Sequence, residues 1–352
     1  MMKVLHSADW HLGSPIDRNN EMLRRELESI PGKIADLVHR HGCDLVLLSG
    51  DLFDSPPSHA TLETLKDALQ AMAVPVLISP GNHDFVTASS VWQTEVFPAN
   101  VHIFKRPILE SVVLESLDCR IYGAGYDSID CPPLLRDFRA EGKERYVLGL
   151  LHGDPQVLNS PYCPITAEQV RESGLDYLAL GHIHKAGSFR AGATLCAWPG
   201  CPMGRGFDEC GEKGVLLVTL DETAHAQFIP LDAPRFHNLT VAVDSDPATA
   251  LGAVLPPAAT QDCFRVTLTG ECTAINPEEM KQSFSQYRHL ELIDKTTPPV
   301  DLWAAAGADT LEGIYFQMLR DLLEEDPQQA DRIRLAAKLS RQLLDGQEVV
   351  LP

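Results

Sequence analysis

Five short apolar runs, Lys3–His6, Asp44–Ser49, Pro75–Ser79, Arg145–Leu151 and Asp176–Leu180, each lead within a few residues into a cluster of Asp, Asn, His and Gly. The runs are 4 to 7 residues long and rich in Val, Leu and Ile, the composition of buried strands. Between them stand helix-like segments such as Ser58–Met72 and Thr166–Ser173, the second opening with Thr166 and Gln169 at capping-box spacing. Strand and helix therefore alternate, which predicts an α/β layered sandwich up to about Leu231. From Ala193 to Pro230 the pattern changes to short strands with turns, TLCAW, GVLLVTL and HAQFIPL, and predicts a second, more antiparallel sheet.

Around Ala233-Pro234 and again through Pro256-Pro257 the composition shifts toward Pro, Ala and Asp, which marks a boundary. The expected division is 1–232, then a small α+β unit at 233–297, then a helical segment at 298–352. The middle unit would hold strands at Leu239–Val243, Cys263–Thr269 and Leu290–Ile293, and a helix near Pro277–Gln286. The last segment would form helices over Thr310–Glu324 and Gln328–Leu344, whose apolar residues recur mostly at spacings of three and four. That pattern suits packing on the chain itself or on a partner helix.

The first residues, MMKVLHSADW, run straight into strand-like sequence without an apolar leader, and no apolar run approaches membrane-spanning length. A cytoplasmic protein without membrane association is expected. Nine cysteines without a CxxC pair argue against a disulfide framework or a zinc knuckle. Cys196, Cys201 and Cys210 lie near one another, but their spacing matches no thiolate metal site.

The chemistry lies in the clusters themselves: Asp9-Trp10-His11, Gly50-Asp51-Leu52-Phe53-Asp54, Gly81-Asn82-His83-Asp84, His152-Gly153 and Gly181-His182-Ile183-His184. Any one of them alone reads more readily as turn chemistry or as an ordinary histidine. Five in order, each beyond the carboxyl end of a strand, read as one ligand site. Asp9 and His11 are two residues apart, as are His182 and His184, so in extended backbone each pair points to one side. Carboxylate, amide and imidazole form a mixed oxygen and nitrogen donor set suited to manganese, iron or zinc. Trp10 and Phe53, inside these motifs, are assigned to packing, and the histidines at 39, 41, 59, 102, 225, 237 and 289 to no site.

The order DxH, GDxxD, GNHD, HG, GHxH resembles that of the calcineurin-like metallophosphoesterases. The longer strings HSADWHLGS, GDLFDSPPS and WPGCPMGRGFDECGEKG are similar to the DNA repair exonuclease branch, the SbcD/YhaO-like nuclease subunits. The resemblance covers the first 230 or so residues well and the remainder loosely. It implies a four-layer α/β/β/α metallophosphoesterase sandwich over 1–232, a capping domain over 233–297 and C-terminal helices. Two divalent ions are implied, manganese before iron or zinc. One would lie among Asp9, His11, Asp51 and His184, the other among Asp51, Asn82, His152 and His182, with Asp51 shared. His83 would serve the leaving group and Asp84 would orient its ring. Asp54 receives no role, because some relatives carry a histidine there. Arg205 is a candidate for touching substrate phosphate, and Lys213 is assigned to the loop surface.

The implied activity is phosphodiester hydrolysis on DNA, as exonuclease or endonuclease in DNA repair, beside an SbcC-like ATPase; a homodimer is compatible with it. A formal charge of −20 weighs against DNA, whose binding draws on Lys and Arg. Bound cations would reverse the sign locally and a basic partner would carry the DNA. The alternatives are a phosphodiesterase for small phosphodiesters or nucleotides, and a regulatory subunit with little nuclease activity without its ATPase.

Overall fold

The computed structural model describes residues 1–16, 20–243, 246–257, 261–272 and 275–346. Strands and helices are numbered along the chain. The first sheet has four parallel strands, β1 (Met2–Ser7), β2 (Leu45–Leu48), β3 (Val76–Ile78) and β4 (Val101–Ile103). β11 (Gly214–Leu220) and β12 (Ala224–Pro230) extend it antiparallel beyond β1, giving the order β12-β11-β1-β2-β3-β4.

The second sheet has the order β5-β6-β7-β8-β10-β9. Its strands are β5 (Glu110–Leu114), β6 (Cys119–Gly123), β7 (Tyr146–His152), β8 (Tyr177–Gly181), β9 (Lys185–Ala191) and β10 (Thr194–Gly200). The middle four run parallel and the two edge strands antiparallel. This corrects one expectation from the sequence. The strands between Ala193 and Pro230 build no separate antiparallel sheet; they complete both mixed sheets, β10 beside the parallel strand β8, β11 beside the parallel strand β1, and β12 beside β11.

Alternation along the strands sorts side chains into layers. Val4, Leu45, Leu47 and Leu77 face Ile121, Leu148, Leu150 and Ala179 between the sheets. Leu5, Val46, Leu48 and Ile78 face the other way, onto Leu27, Ile30 and Ile34 of α1 (Glu21–His41) and Leu62, Leu65 and Leu69 of α2 (His59–Ala71). The short α3 (Val91–Thr94) buries Trp92 in the same layer. Each such fully buried aliphatic side chain contributes roughly 1.5–3 kcal/mol. The outer face of the second sheet is covered by Val170 of α4 (Ala167–Glu172) and by loop residues Tyr126, Leu135 and Ile165. The layering is thus α/β/β/α, as the resemblance implied, with its last layer made largely of irregular chain.

Ser58 caps α2 by accepting the Thr61 N–H, and the capping box at Thr166 and Gln169 is formed. Trp10 and Phe53 are buried in the first-sheet core, as assigned. All nine cysteines are free thiols, and eight are buried.

The chain divides into two compact units, one of residues 1–239, 258–265 and 285–291, the other of 240–257, 266–284 and 292–352. A third sheet has the order β13-β14-β15, with strands Phe236–Val243, Cys263–Gly270 and His289–Asp294. The second unit contains α5 (Pro247–Val254), which is not among the expected helices, and α6 (Pro277–Ser283), α7 (Leu311–Glu325) and α8 (Ala330–Leu344), close to the helices expected from the sequence. Residues 347–352 of the expected C-terminal segment lie outside the described residues. No described helix is long and apolar enough to cross a membrane.

Candidate metal centre

All five clusters follow the carboxyl ends of β1, β2, β3, β7 and β8, and they converge although they come from both sheets. Backbone hydrogen bonds fasten the first two loops together: Asp9 N–H to Gly50 O at 3.0 Å and His11 N–H to Asp51 O at 2.9 Å. The Asp9 carboxylate accepts the His182 N–H at 2.9 Å, and Asp51 Oδ1 accepts the His83 N–H at 2.9 Å. Asp9, His11, Asp51 and His182 all have left-handed φ, at 53°, 46°, 50° and 90°. Such strain in non-glycine residues persists only where the surroundings enforce it, and it gathers at functional sites. The motif glycines are steric requirements: a Cβ on Gly81 would lie 2.2 Å from Asp51 Oδ1, and one on Gly181 would lie 1.8 Å from Ser49 O.

Among the described residues, three sets bring possible ligand atoms within 4.8 Å of one another: Asp9, His11 and His184; His11, Asp51 and His83; and Asp9, Asp51 and His152. Asn82 joins them, its Oδ1 lying 2.9 Å from His152 Nε2. His182 is in none of the three sets but adjoins the third. Its ring packs against His152 at 5.3 Å and Tyr162 at 4.7 Å, and burial, with His152 nearby, lowers its pKa to about 4.

The donor atoms are arranged as a cation requires. His11 Nδ1 lies 3.1 Å from Asp54 Oδ1 and His184 Nδ1 lies 2.7 Å from Glu209 Oε1. A carboxylate only accepts, so each Nδ1 carries the proton and each Nε2 presents a lone pair. Those two Nε2 atoms face one another at 3.2 Å. His152 donates Nδ1–H to Ser49 O at 3.0 Å and turns Nε2 toward Asn82 Oδ1 and toward Asp51 Oδ2 at 3.4 Å. Acceptors aimed at acceptors in a buried pocket repel unless positive charge lies among them. The residues therefore fit divalent metal ions.

Burial and neighbouring charge compete at these groups. Burial raises the Asp9 pKa, against the histidines that favour its charge. Burial acts the same way on Asp51, but His152, His11 and the His83 N–H outweigh it and hold that carboxyl below its ordinary value. His152 is raised, because Asp51 and Asp9 overcome the burial that disfavours its charge.

His83 stands at the mouth, with 44 % of its side chain exposed, edge-on to His11 at 4.8 Å. Here the structure corrects the role assigned to Asp84. Its carboxylate accepts backbone N–H groups from Gly81 at 2.7 Å and Leu52 at 2.9 Å, so it ties two motif loops together instead of orienting the ring. Asp54 does approach the His83 ring, its Oδ1 lying 3.6 Å from Nδ1. Arg205 contacts carboxylates of its own chain, its guanidinium lying 2.6 Å from Glu209 and 3.4 Å from Asp54. Lys213 is buried, and its Nζ donates to His184 O at 3.0 Å.

Asp54 and Glu209 are the residues that sequence reasoning misses, although both stand inside quoted motifs, GDLFD and GRGFDECGEKG. So does His6, buried beneath the site between Tyr177 Oη and Ser49 Oγ at 2.7 Å each, where burial lowers its pKa to about 3.

A family model described as calcineurin-like phosphoesterase matches residues 2–186. The uncharacterized metallophosphoesterase YhaO of Bacillus subtilis is 31% identical over 237 residues, covering 62% of this chain and 57% of that protein. The SbcD component of the SbcCD nuclease of Bacillus subtilis is 24% identical over 262 residues, covering 62% of this chain and 66% of that protein. Its Escherichia coli counterpart is 26% identical over 264 residues, covering 62% and 65%. The chain thus spans less than two thirds of the length of these relatives. Among solved structures, a dimetal phosphatase from Danio rerio aligns with a TM-score of 0.42 and 14% identity, over 63% of this chain and 93% of that one.

Proposed function

The chain belongs to the calcineurin-like phosphoesterase family, and on that premise we propose that it is a two-metal phosphodiester hydrolase that cuts DNA, with manganese as its activating ion. The observation that carries this reading is the opposition of His11 Nε2 and His184 Nε2 at 3.2 Å beside the buried Asp9 and Asp51 carboxylates. Asp9, His11, Asp51 and His184 would hold one ion, and Asp51, Asn82, His152 and His182 the other. Bound there, two divalent ions would activate water and neutralise charge gathering on phosphate oxygens.

The chain's own residues supply the rest. Asp51 turns Oδ2 toward both groups of donors, while its backbone carbonyl accepts the His11 N–H. His83, at the solvent edge, would hold a proton at Nε2 for the departing oxygen, with Asp54 facing its Nδ1. Asp84, by binding the Gly81 and Leu52 N–H groups, keeps the loop that carries His83 in register with the loop that carries Asp51.

Protein stripped with a chelator is expected to hydrolyse no bis(p-nitrophenyl) phosphate and to recover more fully with manganese than with magnesium, because imidazole ligands favour the transition metal. Equal recovery with magnesium in a steady-state assay would contradict the assignment. The charge of −20 favours a second reading, hydrolysis of small phosphodiesters or nucleotides. Linear duplex DNA, circular single-stranded DNA and the chromogenic diester, assayed together with manganese, separate the two.

An SbcC-like ATPase is the partner this reading implies, and α7 offers a surface for it. α7 and α8 are in contact, with Phe316, Ile333 and Ala337 buried and Tyr315 Oη 2.8 Å from Ser340 Oγ. Leu311, Ile314, Met318 and Leu322 remain exposed, at 87%, 53%, 66% and 46%. The double substitution Ile314→Asp, Met318→Asp is expected to leave manganese-dependent diester hydrolysis unchanged and to abolish co-purification with an SbcC-like ATPase of the same organism. Retained co-purification would remove α7 from the partner surface.

A further inference from the structure

Behind the candidate ligands lies an ionic chain that neither the motifs nor the relatives assign a task. Arg205 stands at its centre. Its backbone N–H and its Nε both reach Glu209 Oε2, at 2.8 and 3.2 Å, its Nη2 reaches Glu209 Oε1 at 2.6 Å and lies 3.2 Å from His184 Nδ1, and its Nη1 reaches Asp54 Oδ1 at 3.4 Å. Each carboxylate then accepts from one imidazole, Glu209 from His184 and Asp54 from His11. The three side chains are 9–21 % exposed, so water screens them little. One guanidinium thus fixes two carboxylates, and each carboxylate fixes the Nδ1–H tautomer of one histidine.

We propose that Asp54, Arg205 and Glu209 act as one positioning unit that aims the Nε2 lone pairs of His11 and His184 at the first ion and sets the affinity of that ion without touching it. This rests on the two-metal reading above. His152, whose Nδ1–H is held by a backbone carbonyl, lies outside the unit. Loss of the unit therefore acts on one ion of the two.

The test is manganese binding by the full-length, chelator-stripped protein, followed by titration calorimetry, with circular dichroism and thermal unfolding of the metal-free protein recorded beside it. Glu209→Ala and Asp54→Ala are expected to weaken one manganese site by about 10–100-fold while the other keeps its affinity. Glu209→Gln and Asp54→Asn, whose amide oxygens can still accept from Nδ1–H, are expected to recover part of the loss. Because both carboxylates act through Arg205, the double alanine variant is expected to weaken that site by less than the product of the single effects. Glu144→Gln, which breaks the remote Arg120–Glu144 pair, serves as control and is expected to leave both sites unchanged. The inference is overturned if folded Glu209→Gln, Asp54→Asn and both alanine variants bind two ions with wild-type affinity, or if affinity at both sites falls only in step with thermal stability. Wild-type protein that binds no manganese would instead sink the two-metal reading.

Discussion

Asp51→Ala is expected to abolish phosphodiester hydrolysis and to release both ions, the largest effect of any single substitution in this chain. Asp51 Oδ2 lies 3.4 Å from His152 Nε2 and 3.8 Å from His11 Nε2, so one carboxylate reaches both groups of donors. No neighbouring side chain replaces it, since Asp9 is turned to the His182 N–H and Asp84 to the backbone. The fold should survive, because the Asp51 carbonyl that binds the His11 N–H remains. Elemental analysis beside a rate assay reads the result: a folded Asp51→Ala protein that keeps two ions and measurable turnover would contradict the shared role.

His83→Ala is expected to lower kcat by about 10²–10⁴-fold, the range a positioned proton donor contributes, while both ions stay bound. The ring is half-exposed, and its removal empties no buried pocket. One observation competes with this expectation, for His83 also falls within 4.8 Å of His11 and Asp51 in ligand-atom distance. Metal content decides between the two roles. A His83→Ala protein that loses an ion together with its activity would make His83 a ligand and leave the leaving-group proton to another residue.

What is legible in this chain is what is written in local pattern. Strand β8 can be read from Asp176–Leu180 because Tyr177 to Leu180 are apolar and Gly181 ends the run, and His182 and His184 follow at once. Which sheet takes which strand is not legible, since β2 and β8 are equally apolar and only long-range pairing distinguishes them. The same holds for β11, whose place beside β1 joins residues more than two hundred positions apart. Helix α1 escapes a sequence reading because Pro31-Gly32 in its middle reads as a turn, yet the eight buried residues of its apolar face carry the helix through. At the site, adjacency in sequence misleads for Asp84, which stands next to His83 but turns its carboxylate to the chain. Asp54 and Glu209 escape for the opposite reason: their partners, 43 and 25 positions away, become neighbours only after folding.

Anomalous diffraction from manganese-soaked crystals, with metal content measured on the same protein, decides whether two metal ions share this one side-chain set. Two peaks are expected roughly 3.5–4 Å apart, the spacing of two-metal hydrolases, with Asp51 between them. The first should lie against His11 and His184, the second against Asn82 and His152. A single peak, or manganese bound elsewhere with these side chains arranged as they are here, would contradict the two-metal reading.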